Sequence, residues 1–107
     1  MARSYIWILM VLCTIVWATE LVAQGACSTV QPGWKWSKDI KPIVGTESCQ
    51  AKHIGVIVEG TVTCRHNDGT EVTYSGGDAY AVEPGHDAWV VGDKPAVAYE
   101  FHGAWGE

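Results

Sequence analysis

Tight-turn sequences interrupt the second half of this chain at short, regular intervals. They are rich in Gly, Asn, Asp and Pro, and they are Glu59-Gly60, Asn67-Asp68-Gly69, Gly76-Gly77-Asp78, Pro84-Gly85 and Gly92-Asp93. They recur roughly every 8 to 12 residues, which is the spacing of short strands joined by hairpins. Gly, Asn and Asp tolerate the positive φ angles that such hairpins need. The chain is therefore predicted to be all-β, a sandwich or a barrel.

The segments between the turns have the composition of strands. The strongest of them is residues 50–59, where the β-branched Ile54, Val56 and Val58 occupy alternate positions. Because the intervening positions are also mostly uncharged, we expect both faces of this strand to be covered. The other expected strands are residues 27–31, 61–66, 70–75, 79–83, 88–91 and 96–102.

Length and charge limit the function further. The chain has 107 residues, which is enough for one domain, and its formal net charge is -5. It contains no run or patch of Lys and Arg. We therefore expect neither nucleic acid nor an anionic membrane surface as a partner, because both are bound through clustered positive charge.

Residues 1–23 have the features of an export segment. Arg3 supplies a positive charge, an uncharged apolar run covers residues 5–18, and Ala23-Gln24-Gly25 offers small residues for a signal peptidase. Because the run is shorter than the roughly 20 residues of a spanning helix, we expect a cleaved signal peptide and a periplasmic or secreted protein. The alternatives are an uncleaved membrane anchor over residues 5–23 and a buried first element of the domain.

Export would leave three cysteines in the mature chain, Cys27, Cys49 and Cys64. At most one disulfide can form among three cysteines, so the chain is not a disulfide-rich scaffold. No Cys-x-x-Cys pair is present in the sequence, so a zinc ribbon and a redox dithiol of that type are not expected.

Several motifs occur together in the order seen in a known family. They are Glu59-Gly60, Asp68-Gly69-Thr70-Glu71, Gly77-Asp78, Pro84-Gly85-His86, and the longer strings at residues 32–37 and 84–93. This order resembles that of small single-domain cupins, in particular an uncharacterised subgroup, over about residues 30–101. The resemblance implies a cupin-like double-stranded β-helix, or jelly-roll barrel, over residues 26–103 that follows the signal segment.

The metal ligands of that family do not transfer directly. His53 stands where the family has Glu, and Cys49 and Glu47 lie on or near its two His positions, while His86 precedes the position of its last His. Imidazole, thiolate and carboxylate still suit a divalent metal if the His53 side chain points into the barrel. The candidate ligands are therefore His53, His86, Cys49 and Glu47. In the opposing interpretation His53 is a hydrogen-bonded interior residue and His86 caps a turn.

The identity of such a metal is not fixed by these residue types. A Cys-His-His set favours zinc or a softer metal over the iron of typical cupin oxygenases. Zn, Fe, Ni, Cu and Mn are not distinguishable from the sequence.

Aromatic side chains on the expected strands suggest a ligand pocket. Trp36, Tyr80 and Trp89, with Trp34, could line the lumen of a barrel that holds one small molecule. The alternative is that they belong to the core or to a dimer interface. His66 stands beside the Asn67-Asp68-Gly69 turn, where we expect it to be exposed.

The expected function is that of a small exported cupin-type barrel that binds a small molecule and a divalent metal in its lumen. The alternatives are a metal-dependent enzyme, such as a small-molecule dioxygenase or isomerase that uses His53, His86 and Cys49 or Glu47, and a metal-free structural or oligomerising domain. If His53 faces inward, Ile54, Val56 and Val58 face outward as an apolar patch. We expect the second subunit of a homodimer, or the N-terminal strand, to cover that patch.

Overall fold

The computed structural model describes residues 26–105, which form a mostly β domain. The strands within these residues are β1 (Ala26–Val30), β2 (His53–Glu59), β3 (Thr61–His66), β4 (Glu71–Ser75), β5 (Ala79–Val82), β6 (His86–Val90) and β7 (Ala96–His102). Two short helices, α1 (Trp36–Asp39) and α2 (Lys41–Val44), lie between β1 and β2. The predicted all-β class is confirmed at this level, and the cupin barrel stays a prediction.

The strands form two antiparallel sheets. The first has the order β1-β7-β2-β5 and the second has the order β4-β3-β6. The turn at Glu59-Gly60 carries the chain from β2 in the first sheet to β3 in the second. Gly60 has a φ of 83°, and a Cβ atom there would collide with the carbonyl oxygen of Pro95. Only glycine tolerates both the positive φ and the close approach, so Gly60 determines where the chain crosses between the sheets.

The hydrophobic core lies between the two sheets. Alternate residues of several strands face it, as in β6, where His86, Ala88 and Val90 are buried. The core cluster includes Val30, Ile57, Val62, Cys64, Tyr80, Val82, Ala88, Val90, Ala96, Ala98 and Trp105. The same alternation carries the first residues of β2 and β6, both histidines, to the inside of the domain.

The two helices were not predicted, because the strand-like composition hides elements of a single turn. In α1 the side chain of Asp39 accepts a hydrogen bond from the backbone N–H of Lys35 at 2.9 Å. In α2 Pro42 lies in the first turn, and Gly45 ends the helix with a φ of 78°. Both helices therefore depend on local capping and not on a long amphipathic pattern.

The apolar patch of β2, formed by Ile54, Val56 and Val58, is only partly directed outward. The Ile54 side chain is 37% exposed, whereas Val58 is buried, because the pairing register with β7 shifts between Ile57 and Glu59. Strand β1 pairs with the edge of β7 that is away from β2, in the same sheet, so it does not cover the patch. The homodimer stays a prediction.

The predicted export segment, residues 1–23, lies outside the described residues. No helix among the residues that the structure describes is long and apolar enough to cross a membrane.

Candidate metal centre

Three side chains converge inside the domain. His53 is the first residue of β2 and His86 is the first residue of β6, while Cys49 lies in the connection that precedes β2. The backbone holds Cys49 against β6 through its N–H, which donates to the carbonyl oxygen of His86 at 2.7 Å. The thiol sulfur and one ring nitrogen of each histidine all lie within 4.8 Å of one another. All three residues are buried, with exposures of 3% or less.

Hydrogen bonds outside this cluster orient both imidazole rings. Nδ1 of His86 lies 2.7 Å from the carbonyl oxygen of Glu83. A carbonyl can only accept, so Nδ1 carries a proton. Nδ1 of His53 likewise lies 3.2 and 3.3 Å from the two carboxylate oxygens of Glu100. Each ring therefore has its Nε2 atom left for the cluster.

The Nε2 atom of His86 is buried and has no hydrogen-bond partner among residues 26–105. The Nε2 atom of His53 faces the sulfur of Cys49 at 3.7 Å. A buried polar atom without a partner is rare and destabilising, because it has lost its contact with water and gained nothing in return. A thiolate and two imidazole lone pairs would all be satisfied by one shared cation. The chemistry of this donor set therefore fits a metal ion.

A second layer of contacts holds His53 in place. Glu100, on β7, is fully buried, and its carboxylate accepts a hydrogen bond from the Tyr80 hydroxyl at 2.6 Å. The indole N–H of Trp105 donates to the same hydroxyl at 3.0 Å. The Trp105 ring also stacks on the His53 ring, with the centroids 4.1 Å apart and the planes 14° from parallel. Such carboxylate–histidine contacts fix the ring orientation of many metal-binding histidines.

Sequence reasoning missed Glu100 and Trp105. A sequence signal for Glu100 was present, because Ala96, Ala98 and Glu100 occupy alternate positions of β7 and therefore face the same side, which is the inside. An acidic residue at an inward position of an apolar strand needs a buried partner. Trp105 lies beyond the last strand, and no pattern in the sequence indicated that its ring would enter the core.

The ionisation of Cys49 and His53 is linked. Burial disfavours the thiolate, but the hydrogen bond with His53 and the nearby His86 imidazole outweigh it and lower the pKa of Cys49 to about 6. Burial also disfavours the imidazolium, but contacts with Cys49 and Glu100 outweigh it and raise the pKa of His53 to about 9. At neutral pH the metal-free pair is therefore a thiolate beside an imidazolium. By contrast, burial raises the pKa of Cys64 to about 12, so that thiol stays neutral.

A cysteine thiolate next to a carboxylate-oriented histidine can also act as a nucleophile. Two observations weigh against that use of Cys49. Its side chain is only 3% exposed, which withholds the sulfur from a substrate. A Cys49–His53 dyad would also leave the buried Nε2 of His86 without a role. Metal binding accounts for all three side chains, so it is the better interpretation.

The fourth predicted ligand, Glu47, lies elsewhere. Its side chain is 97% exposed and forms an ion pair with Lys41 at 3.3 Å. It follows the end of α2 and points to solvent.

His66 was predicted to be exposed, but it is half-buried. Its ring lies edge-on to that of His86, with the centroids 6.0 Å apart. It is outside the cluster of close ligand atoms.

Trp36, Tyr80 and Trp89 lie in different places: Trp36 is buried in α1. Tyr80 is in the core with its hydroxyl on Glu100. Trp89 is on the opposite, outer face of β6, where Lys35 and Arg65 each lie 5.0 Å from its ring centroid. The cation–π contacts explain Trp89 without a ligand. A surface groove of about 490 Å³ is lined instead by Trp34, Trp105 and residues 29–33, 38 and 39.

No family model, curated protein or solved structure matches this chain. The cupin resemblance therefore stays a prediction. The chemistry of Cys49, His53 and His86 is therefore what bears on the function.

Proposed function

We propose that this protein is a small exported all-β domain, of the cupin type, that binds one divalent metal ion through Cys49, His53 and His86. The observation that carries the proposal is the buried Nε2 atom of His86, which has no hydrogen-bond partner in the described part of the chain and lies beside a thiolate and a second imidazole. Thiolate and imidazole are soft to borderline ligands, which suit zinc, cobalt, nickel and copper and not magnesium or calcium. Zinc is the ion that we propose.

The number of protein ligands supports a binding role in which one coordination position of the metal stays open. Structural zinc sites have four protein ligands, whereas three protein ligands leave a position for water or a small molecule. The described residues contribute three side chains to the cluster. We propose that a water molecule, which is small enough for this buried cluster, completes the coordination, and that the metal acts there as a Lewis acid that holds it.

A binding function is favoured over a metal-dependent enzyme. The Glu100 carboxylate is already occupied by Tyr80 and His53, and burial, followed by the contact with Glu100, raises the pKa of Tyr80 so that its hydroxyl keeps its proton. The Tyr80 hydroxyl is therefore not poised to exchange a proton with a bound molecule near neutral pH, and the Glu100 carboxylate is held by its own two partners. This supports a sensor or carrier, because neither of these two buried groups offers the enzyme interpretation a general acid or base.

The test is metal content with single-residue variants. The full chain is purified without chelator, incubated with excess zinc, desalted and analysed for metal, with an expected ratio of about one zinc per chain. The variants Cys49→Ala, His53→Ala and His86→Ala should each lose the bound zinc. His66→Ala, which removes a half-buried histidine outside the cluster, should keep it.

Cobalt substitution adds a direct readout of the thiolate. A cobalt-loaded wild-type protein should show sulfur-to-metal charge-transfer absorption, and His66→Ala should show it too. Sulfur-to-metal charge-transfer absorption that survives in Cys49→Ala would reject the assignment of Cys49 as a ligand. A folded wild-type protein that retains neither zinc nor cobalt would reject the metal centre itself.

A further inference from the structure

The buried carboxylate of Glu100 gives the core a second negative charge. Glu100 is fully buried, and its oxygens accept hydrogen bonds from the Tyr80 hydroxyl at 2.6 Å and from His53 Nδ1 at 3.2 and 3.3 Å. Donors directed at both oxygens favour the ionised carboxylate. Lys52 and Arg65 do not neutralise it, because they pair with the surface residues Glu83 and Glu71.

The charges of the proposed centre can be added. The thiolate of Cys49 and the carboxylate of Glu100 are each negative, and His53 and His86 are neutral when they act as ligands through Nε2. An uncompensated charge in a protein core is strongly destabilising. A divalent cation makes this buried group of side chains neutral, whereas a monovalent cation leaves one negative charge without a counter-charge.

The ligand atoms alone do not make that choice. One thiolate and two imidazoles bind soft monovalent cations such as Cu(I) and Ag(I) as well as zinc. The discrimination has to come from outside the ligand set, and Glu100 is the buried charge that contacts it.

We infer that Glu100 is the residue that selects the charge of the bound ion, so that the centre takes a divalent cation in preference to a soft monovalent one. Glu100 acts through its contact with His53 and through the electrostatic field of its charge at the metal position, and not as a ligand. The inference rests on the metal centre proposed above.

The test compares two cations in a variant that keeps the shape of the side chain. Glu100→Gln removes the charge, while its amide oxygen can still accept from Tyr80 or His53. Affinities for Zn²⁺ and Ag⁺ are measured in the full chain by competition with a chromophoric chelator. We expect Zn²⁺ binding to weaken about 10- to 100-fold and Ag⁺ binding to change much less. The ratio of the two affinities should therefore shift by about tenfold or more towards Ag⁺.

The matched control is Tyr80→Phe, which removes a hydrogen bond to the carboxylate and keeps its charge. It should leave the ratio of Zn²⁺ to Ag⁺ affinity unchanged. The double variant Tyr80→Phe/Glu100→Met, which removes the charge together with the hydroxyl that would be stranded, should shift the ratio as Glu100→Gln does. Thermal denaturation establishes that each variant is folded, and the double variant replaces Glu100→Gln if the latter is not.

Two results would overturn the inference. Equal losses of Zn²⁺ and Ag⁺ affinity in Glu100→Gln would mean that Glu100 only orients His53, and unchanged affinities would mean that it does neither. Both leave the metal centre intact. A wild-type protein that binds neither cation would instead overturn the centre, and the inference with it.

Discussion

Cys49 and His53 share one proton in the metal-free protein. The pKa of Cys49 is lowered to about 6 and that of His53 is raised to about 9, so between these values the thiol has lost its proton and the imidazole has kept one. A metal ion can bind to His53 only after this proton leaves Nε2. Protons and metal therefore compete for the centre throughout the neutral range.

The competition predicts how metal affinity depends on pH. Between pH 7 and 9 one proton has to leave His53 for each zinc bound, so the affinity should rise about tenfold per pH unit. Above the His53 pKa of about 9 the rise should flatten, and below the Cys49 pKa of about 6 it should steepen, because two protons then have to leave. Competition titrations with a chelator of known pH dependence measure this slope. A zinc affinity that is constant from pH 7 to 9 would contradict the proton-sharing pair.

The pairing of β2 with β7 determines which residues surround His53. Gly55 lies opposite Glu100 in that pairing, and the absence of a side chain lets the strands approach closely. A Cβ atom at Gly55 would collide with the carbonyl oxygen of Tyr99 and lie 2.8 Å from the Tyr80 hydroxyl. The glycine therefore leaves the space in which Tyr80 reaches Glu100.

Gly55→Ala is the corresponding substitution. We expect it to lower the free energy of unfolding by about 1–3 kcal/mol, because the nearest atom, the carbonyl oxygen of Tyr99, belongs to the backbone and cannot move aside cheaply. Urea denaturation measures the change. The control is Gly76→Ala, whose Cβ would come no nearer than 3.3 Å to another residue and should cost less. Equal losses in the two variants would show that the close approach of β2 and β7 is not what Gly55 provides.

Strand boundaries that depend on adjacent residues could be predicted, and contacts between distant strands could not. The bounds of β3 were predicted because Gly60 and the turn after His66 are local signals. His53 and His86 were found as candidates from short motifs in the same way. The role of Glu100 depends on the register between β2 and β7, which brings Glu100 to His53 although the two residues are 47 positions apart in the sequence. That register follows from the whole fold and has no short sequence signature.

The domain as a whole places ionisable groups where small proteins usually place apolar ones. A domain of about 80 residues is only marginally stable, and here Cys49, His53, His86 and Glu100 occupy fully or almost fully buried positions. These side chains contribute little by burial and lose hydration. A metal ion that binds them in the folded state offsets this cost, because it does not bind the unfolded chain in the same way.

Zinc should therefore stabilise the whole domain. At a free zinc concentration of about 100 times Kd, the expected gain is about 2.7 kcal/mol. For a domain of this size each 1 kcal/mol shifts Tm by about 4–8 °C, so Tm should rise by on the order of 10–20 °C. His86→Gln should lose this rise because it removes one ligand, whereas His66→Gln should retain it. Scanning calorimetry with and without zinc measures both, and an equal rise in His86→Gln would place the stabilising ion somewhere other than between the two sheets.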